Sequence, residues 1–193
     1  PGLIAMQVIQ QSFSHSSSSF MIGKIQGNIV DLLYAPLSAA EITFSVSLAA
    51  VTRSFMIAFI SVLVFHLIID IQIKHPFILI LFTFFSSFIL GNIGIIAGLW
   101  AEKFDHMASA TNFVIIPLSF LSGTFYTTDK LPGFLQAISN ANPFFYMIDG
   151  FRYSFIGNAD GSIKIGIIYL IILSFLSWLA SYILFRKGYK IKS

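Results

Sequence analysis

Five long apolar runs organise this chain, at about 2–22, 42–69, 77–100, 107–126 and 163–185. A transmembrane helix needs about 20 mostly apolar residues, and each run supplies them. The first run is the least apolar. Gln7, Gln11, His15 and Ser18 recur at helical spacing, with Gln10, Ser14 and Ser17 beside them. Amides and hydroxyls in hydrocarbon cost free energy on the kcal scale unless paired, so this face is expected to meet another helix, a partner subunit or a watery path. The second run carries Arg53 about ten residues in. A charge there either snorkels to the headgroups, bonds a neighbouring helix or contacts a transported molecule. His66, near the far end of the same run, reads as an interfacial or packed histidine. Gly91, Gly94 and Gly98 give the uncharged third run a small-residue face for close helix approach. Pro117 predicts a kink in the fourth run.

Two interruptions break the pattern. In segment 24–41, KIQGNIVDLLYAPLSAAE, Asn28 is placed to cap a short helix that Pro36 ends. Val30, Leu33, Tyr34 and Leu37 share one side of it. It is too short to span, and reads equally as a membrane-surface helix or a docking knob for a soluble partner. The second interruption, 129–157, is apolar and aromatic but cut by Pro132 and Pro143, and it carries Asp149 and Arg152. Asp129 is placed to cap a helix over 131–139. Asn142 followed by Pro143 predicts a second helix start, with Gly157 as its stop. These are two short helices, packed at one membrane face. Asp149 and Arg152, three apart, are spaced to pair.

Composition agrees with a membrane protein. Of 193 residues, 56% are hydrophobic and 10% charged, where a soluble domain has about 25% charged. The mean hydropathy is +0.86. The net charge of +3 is small, and Arg186, Lys187, Lys190 and Lys192 crowd the C-terminus rather than forming a nucleic-acid footprint. With the C-terminus inside, the inner side holds these four plus Lys24 and Lys103, against Lys74, Lys130, Arg152 and Lys164 outside. Segment 24–41 then lies in the cytoplasm and the 129–157 pair outside. The chain begins at Pro1 within an apolar stretch, without Met or a basic leader. A longer native N-terminus with at least one further span is expected.

Catalytic and energy-converting motifs are missing from the sequence. It has no Cys, no H-E-x-x-H, no G-x-S-x-G and no G-x-x-x-x-G-K-[ST]. His15, His66, His75 and His106 lack ligand spacing. All eight acids, Asp31, Glu41, Asp70, Glu102, Asp105, Asp129, Asp149 and Asp160, fall outside the middles of the five apolar runs. A proton-coupled carrier would place one at depth. No potassium-type T-V-G-Y-G filter occurs. What remains is an all-α helical bundle without its own visible energy source, moved most simply by a partner's ATP hydrolysis.

At this point the residues resemble a known family. The pattern running through Leu131, Pro132, Leu135, Gln136, Asn142, Pro143, Tyr146, Asp149 and Arg152 looks like the extracytoplasmic signature of type-2 ATP-binding-cassette (ABC) permeases. These are the membrane subunits of bacterial drug, lipid and polysaccharide exporters. The runs PLSFLSGTFY at 117–126 and KIQGNIVDLLYAPLS at 24–38 are similar to that family too. The resemblance covers essentially the whole chain as one transmembrane domain. It implies a six-helix permease, five helices of which are visible here. The permease would pair with a second copy and with two separate ATPase subunits that bind the ATP and magnesium, and would lie in the bacterial inner membrane. It also implies that Asn28, Ile29, Val30, Asp31, Leu32, Leu33, Tyr34, Ala35, Pro36 and Leu37 form a coupling helix. Pro132, Asn142, Pro143, Tyr146, Asp149, Arg152 and Gly157 would belong to re-entrant or outer gate helices. Gln7, Gln11, Ser14 and Arg53 are the candidates for a passage or dimer face. No cofactor, metal or catalytic residue is expected in the chain itself. The rival readings are a non-transporting scaffold of the same fold and a sodium-coupled carrier.

Overall fold

The computed structural model describes residues 1–29, 35–69, 71–124 and 141–188. Among them every regular element is helical: α1 (Gly2–Gln26), α2 (Ala39–Ile69), α3 (Pro76–Trp100), α4 (Phe104–Ala110), a π-helical turn (Thr111–Ile115), α5 (Ile116–Leu121), α6 (Pro143–Ile156) and α7 (Ile163–Arg186). Three are long and apolar enough to cross a membrane: α2, α3 and α7. The 25-residue α1 is long enough but more polar, as its glutamines and serines require. The fourth run, expected as a span over about 107–126, is helical from Phe104 to Leu121 in three consecutive pieces, α4, the π-helical turn and α5.

Contacts at the helix ends show that helical passes successive in the chain alternate in direction, so that α1, α3 and α7 run parallel. Met21 of α1 clusters with Ala101 and Met107, and Phe20 with Phe185 of α7. At the opposite end, the 71–75 loop bonds the end of α6, and a side chain added at Gly2 would meet the Thr124 carbonyl. The helix α3 forms the axis. In its most apolar window 61% of residues are buried, against 22% for α2 and for α7. The large apolar side chains of α2 point away from the bundle, Met56 being 62% and Phe59 69% exposed. Such faces in quantity suit hydrocarbon rather than water.

Glycine sets the spacing of the centre. Beside α1, the α-carbons of Gly94 and Gly98 lie so close that an added Cβ would stand 2.6 Å from the Phe13 carbonyl oxygen and 2.7 Å from that of Ser17. The small-residue face predicted from the sequence is thus the α1–α3 contact. Polar links cross the same interior. Asn92 Oδ1 accepts from Ser47 Oγ of α2 at 3.0 Å and from Ser181 Oγ of α7 at 2.7 Å. Ser12 and Ser54 join α1 to α2 at 2.5 Å. Each of these residues has a hydrogen-bond partner on another helix, which is what makes polar groups tolerable in an apolar interior.

The irregularity expected at Pro117 appears half a turn earlier. In the π-helical turn the Ile116 N–H donates to the Thr111 carbonyl, and α5 then starts with Pro117 in its first turn, where no N–H is needed. The second long helix starts at Ala39, ahead of the apolar run at 42, because Ser38 and Glu41 form a capping box. The Ser38 N–H donates to Glu41 Oε2 at 2.7 Å, and the Glu41 N–H donates back to Ser38 Oγ at 3.2 Å.

Candidate functional site

One end of the bundle is built on α6. Its start follows from Asn142 and Pro143: Asn142 Oδ1 accepts from the Phe144 N–H at 3.1 Å, and Pro143 occupies the first turn. The Asn142 amide also donates to the Leu118 carbonyl at 3.1 Å and to Ser122 Oγ at 2.7 Å, tying α6 to the end of α5. One residue therefore serves as cap and tether. Asn142→Ala should lower stability by about 2 kcal/mol, the sum of a lost cap and lost buried bonds. Thermal unfolding in neutral detergent would check this, and an unchanged transition would remove both roles. Gly157 ends α6 at φ 82, the left-handed stop expected from the sequence.

Midway along α6, Asp149 is almost wholly buried. Its Oδ1 accepts from Arg152 Nη2 at 3.0 Å and from the Asp160 N–H at 2.9 Å, and its Oδ2 accepts from the Gly161 N–H at 2.9 Å. Arg152 also bonds Asp160 Oδ2 at 2.6 Å. The pair thus holds the loop leading into α7, as well as the helix that carries it. Burial pushes the Asp149 carboxyl above the ordinary carboxylate range, against the opposing pull of the Asp160 and Gly161 N–H groups and the Arg152 charge. Burial alone would depress Arg152, but the hydrogen bond and charge of Asp160, with Asp149, hold it above the usual guanidinium value. Tyr146 packs its ring 5.1 Å from Tyr169 of α7. A second fastening comes from the α2–α3 connection. Lys74 Nζ donates to the Ile156 carbonyl at 2.6 Å, the Lys74 and His75 N–H groups both donate to the Ser154 carbonyl, and the His75 ring stacks on Tyr153. Pro132 and the helix expected over 131–139 lie outside the described residues.

On the long face of the bundle, α1 turns Ile4, Val8, Ile9, Phe13 and Phe20 inward. It leaves Gln7 exposed and Gln11, Ser14, His15 and Ser18 half-buried. Among the described residues the Gln7 and Gln11 amides make no hydrogen bond. Arg53 joins this face from α2, its Nη1 3.1 Å from His15 Nδ1. The helix-to-helix bond is the arrangement the structure adopts. His66, exposed at the C-terminal end of α2, bonds the Ile71 carbonyl.

At the end of the bundle opposite α6, α1 stops at Gln26 with Gly27 in the left-handed conformation. The Asn28 amide donates to Gln26 Oε1 at 3.1 Å. Ile29 is buried in a cluster with Phe20, Ile42, Ile95, Leu99 and Phe185, contributed by α1, α2, α3 and α7. Pro36 and Leu37 are exposed. Val30, Asp31, Leu32, Leu33 and Tyr34 lie outside the described residues. An apolar cavity of about 230 Å³ opens beside Ile29, lined also by Phe20, Gly23 and Val46. Lys24 caps α3 across the interface, its Nζ donating to the carbonyls of Leu99 at 2.9 Å and Ala101 at 2.7 Å.

Sequence reasoning missed Asn92, Lys24, Lys74 and Asp160. A lone Asn in an apolar run and the S-x-x-E start of α2 were readable signals. The partners of the two lysines are backbone carbonyls far along the chain, which no local pattern marks. Among the described residues no group of His, Cys, Asp and Glu could hold a metal ion.

Comparison with known proteins places this architecture. The family described as ABC-2 type transporter matches residues 1–156. The "Inner membrane transport permease YadH" of Escherichia coli (strain K12) is 32% identical over the whole of this chain and 75% of its own length. The protein of that name from Shigella flexneri matches equally. The "Daunorubicin resistance ABC transporter permease protein DrrB1" of Streptomyces coeruleorubidus is 33% identical over 34% of this chain and 22% of its own. No solved structure matches.

Proposed function

The chain belongs to the ABC-2 type transporter family of membrane permeases, and from that premise we propose that it forms the translocation path of an exporter in the bacterial inner membrane, as a dimer driven by a separate ATPase. The family membership supports a permease without catalytic chemistry of its own. The observation that carries the mechanism is the burial of Ile29 among side chains of α1, α2, α3 and α7. Segment 28–37 begins in that cluster and reaches exposed Pro36 and Leu37. A partner pressing on it would move several helices together, because a packed interior transmits displacement rather than absorbing it.

In this reading residues 28–37 dock on the ATPase, and the C-terminus lies in the cytoplasm. The polar face of Gln7, Gln11 and Ser14 meets the second permease copy or the path. The α6 region, with Pro132, Asn142, Pro143, Tyr146, Asp149, Arg152 and Gly157, forms part of the outer gate. Five alternating helical passes make up the domain in this reading. Replacing Asp31 and Leu33 together by alanine should reduce ATP-driven transport by about tenfold or more, an uncoupling worth roughly 1.4 kcal/mol or above, while the partner's basal ATP hydrolysis persists. Reconstituted vesicles holding both subunits would report it. Unchanged coupling in that double variant would remove the docking assignment.

A further inference from the structure

We infer that Arg53 and His15 form a binding site for the anionic group of an amphiphile carried by this permease. The inference rests on the permease reading above and adds the chemical class of ligand.

Depth is the first argument. The helix α2 has 31 residues, about 46 Å at 1.5 Å per residue, and the hydrocarbon core is about 30 Å thick. Arg53 lies near its middle, because the capping box at Ser38 starts the helix ahead of the apolar run. With the helix centred on the core, either headgroup layer is about 15 Å away. The contact with His15 of α1 holds the guanidinium against the bundle rather than along the helix toward a headgroup layer.

Charge balance is the second. A guanidinium stays protonated, and among the described residues no carboxylate lies within ion-pair distance of Arg53. A second copy of these 193 residues would not supply one at that depth, since all eight acids fall outside the middles of the apolar runs. Arg53 is exposed on the bundle. An uncompensated cation there is costly, and an anion lying against it removes the cost.

The donor set is the third. A guanidinium only donates, so His15 Nδ1 must be the acceptor in their 3.1 Å contact. Its proton therefore sits on Nε2, and the pair offers N–H donors with no free acceptor. A phosphate or carboxylate fits such a donor set and offsets the charge of Arg53; a cation does neither. The surroundings choose an amphiphile over a free anion. Met56, Ile60 and Val64 follow Arg53 on the same side of α2, at 62%, 55% and 46% exposure, and form an apolar track for a chain.

The test uses the full-length permease with its ATPase in neutral detergent. Dodecyl phosphate, dodecyl phosphocholine and inorganic phosphate serve as probes, with binding read by thermal shift and titration. Dodecyl phosphate should raise the unfolding temperature more than dodecyl phosphocholine does, and inorganic phosphate at the same concentration should do nothing. Arg53→Gln should weaken dodecyl phosphate binding by about tenfold or more, Arg53→Lys by less, and His15→Ala by several fold. Equal responses to the two amphiphiles, an effect of inorganic phosphate matching dodecyl phosphate, or unchanged binding in Arg53→Gln would each overturn the site. Should Arg53→Gln fail to fold, unchanged binding in both Arg53→Lys and His15→Ala would overturn it. ATP-driven transport in the same preparation separates the two readings. Intact transport with no anion preference sinks only the site, whereas transport without nucleotide sinks the permease reading.

Discussion

Gly94→Leu and Gly98→Leu are expected to abolish folding, and the alanine versions should each cost about 1–3 kcal/mol. In an isolated helix the exchange would go the other way, since alanine is better than glycine by about 1 kcal/mol. The packing decides the sign. A Cβ at Gly94 would stand 2.6 Å from the Phe13 carbonyl oxygen, and one at Gly98 would stand 2.7 Å from that of Ser17. Both obstacles are backbone atoms of α1, so relief requires parting two helices along their whole contact. Gly91 is the internal comparison. Its nearest neighbours are the Ala50 Cβ at 3.1 Å and Ser16 Oγ at 3.5 Å, both side-chain atoms, and Gly91→Ala should be tolerated better. Unfolding of the purified variants in neutral detergent measures the order. Gly94→Ala matching the parent protein would contradict the close approach.

Asp149→Ala is the second large effect, expected at about 2–4 kcal/mol because two N–H groups lose their acceptor and Arg152 loses one of its two carboxylates. Those groups are Arg152, whose Nη2 is 3.0 Å from the carboxylate, and the Asp160 and Gly161 amides, each at 2.9 Å. Asp149→Asn keeps one acceptor and should lose about 1–3 kcal/mol. The 157–162 loop should become protease-sensitive in both variants, since its amides are tethered there. A double-variant cycle with Arg152→Met separates the pair from the loop tether. Additive losses would mean that Arg152 and Asp149 do not act together.

Much of the outer motif was legible in the sequence. Asn142, Pro143 and Gly157 each have a local conformational reason, and the structure uses all three as expected. The pairing of Asp149 with Arg152 follows from helical spacing. What the spacing omits is Asp160, which comes from beyond the turn and completes the arrangement at 2.6 Å from Arg152.

The sequence by itself determined the all-helical membrane class, the open polar face of α1, the glycine stripe of α3 and the family. All of these depend on composition or on period along one helix, quantities a linear chain contains. Only the tertiary structure decided which helix the glycines meet. It also decided that Asn92 holds Ser47 and Ser181 together, that Lys24 caps α3, and that Arg53 pairs with His15. Each of these joins residues from different helices, and their partners are serines, histidines and backbone carbonyls common enough to occur in every helix. Distance in the folded chain selects among them, and distance is fixed only when the helices pack.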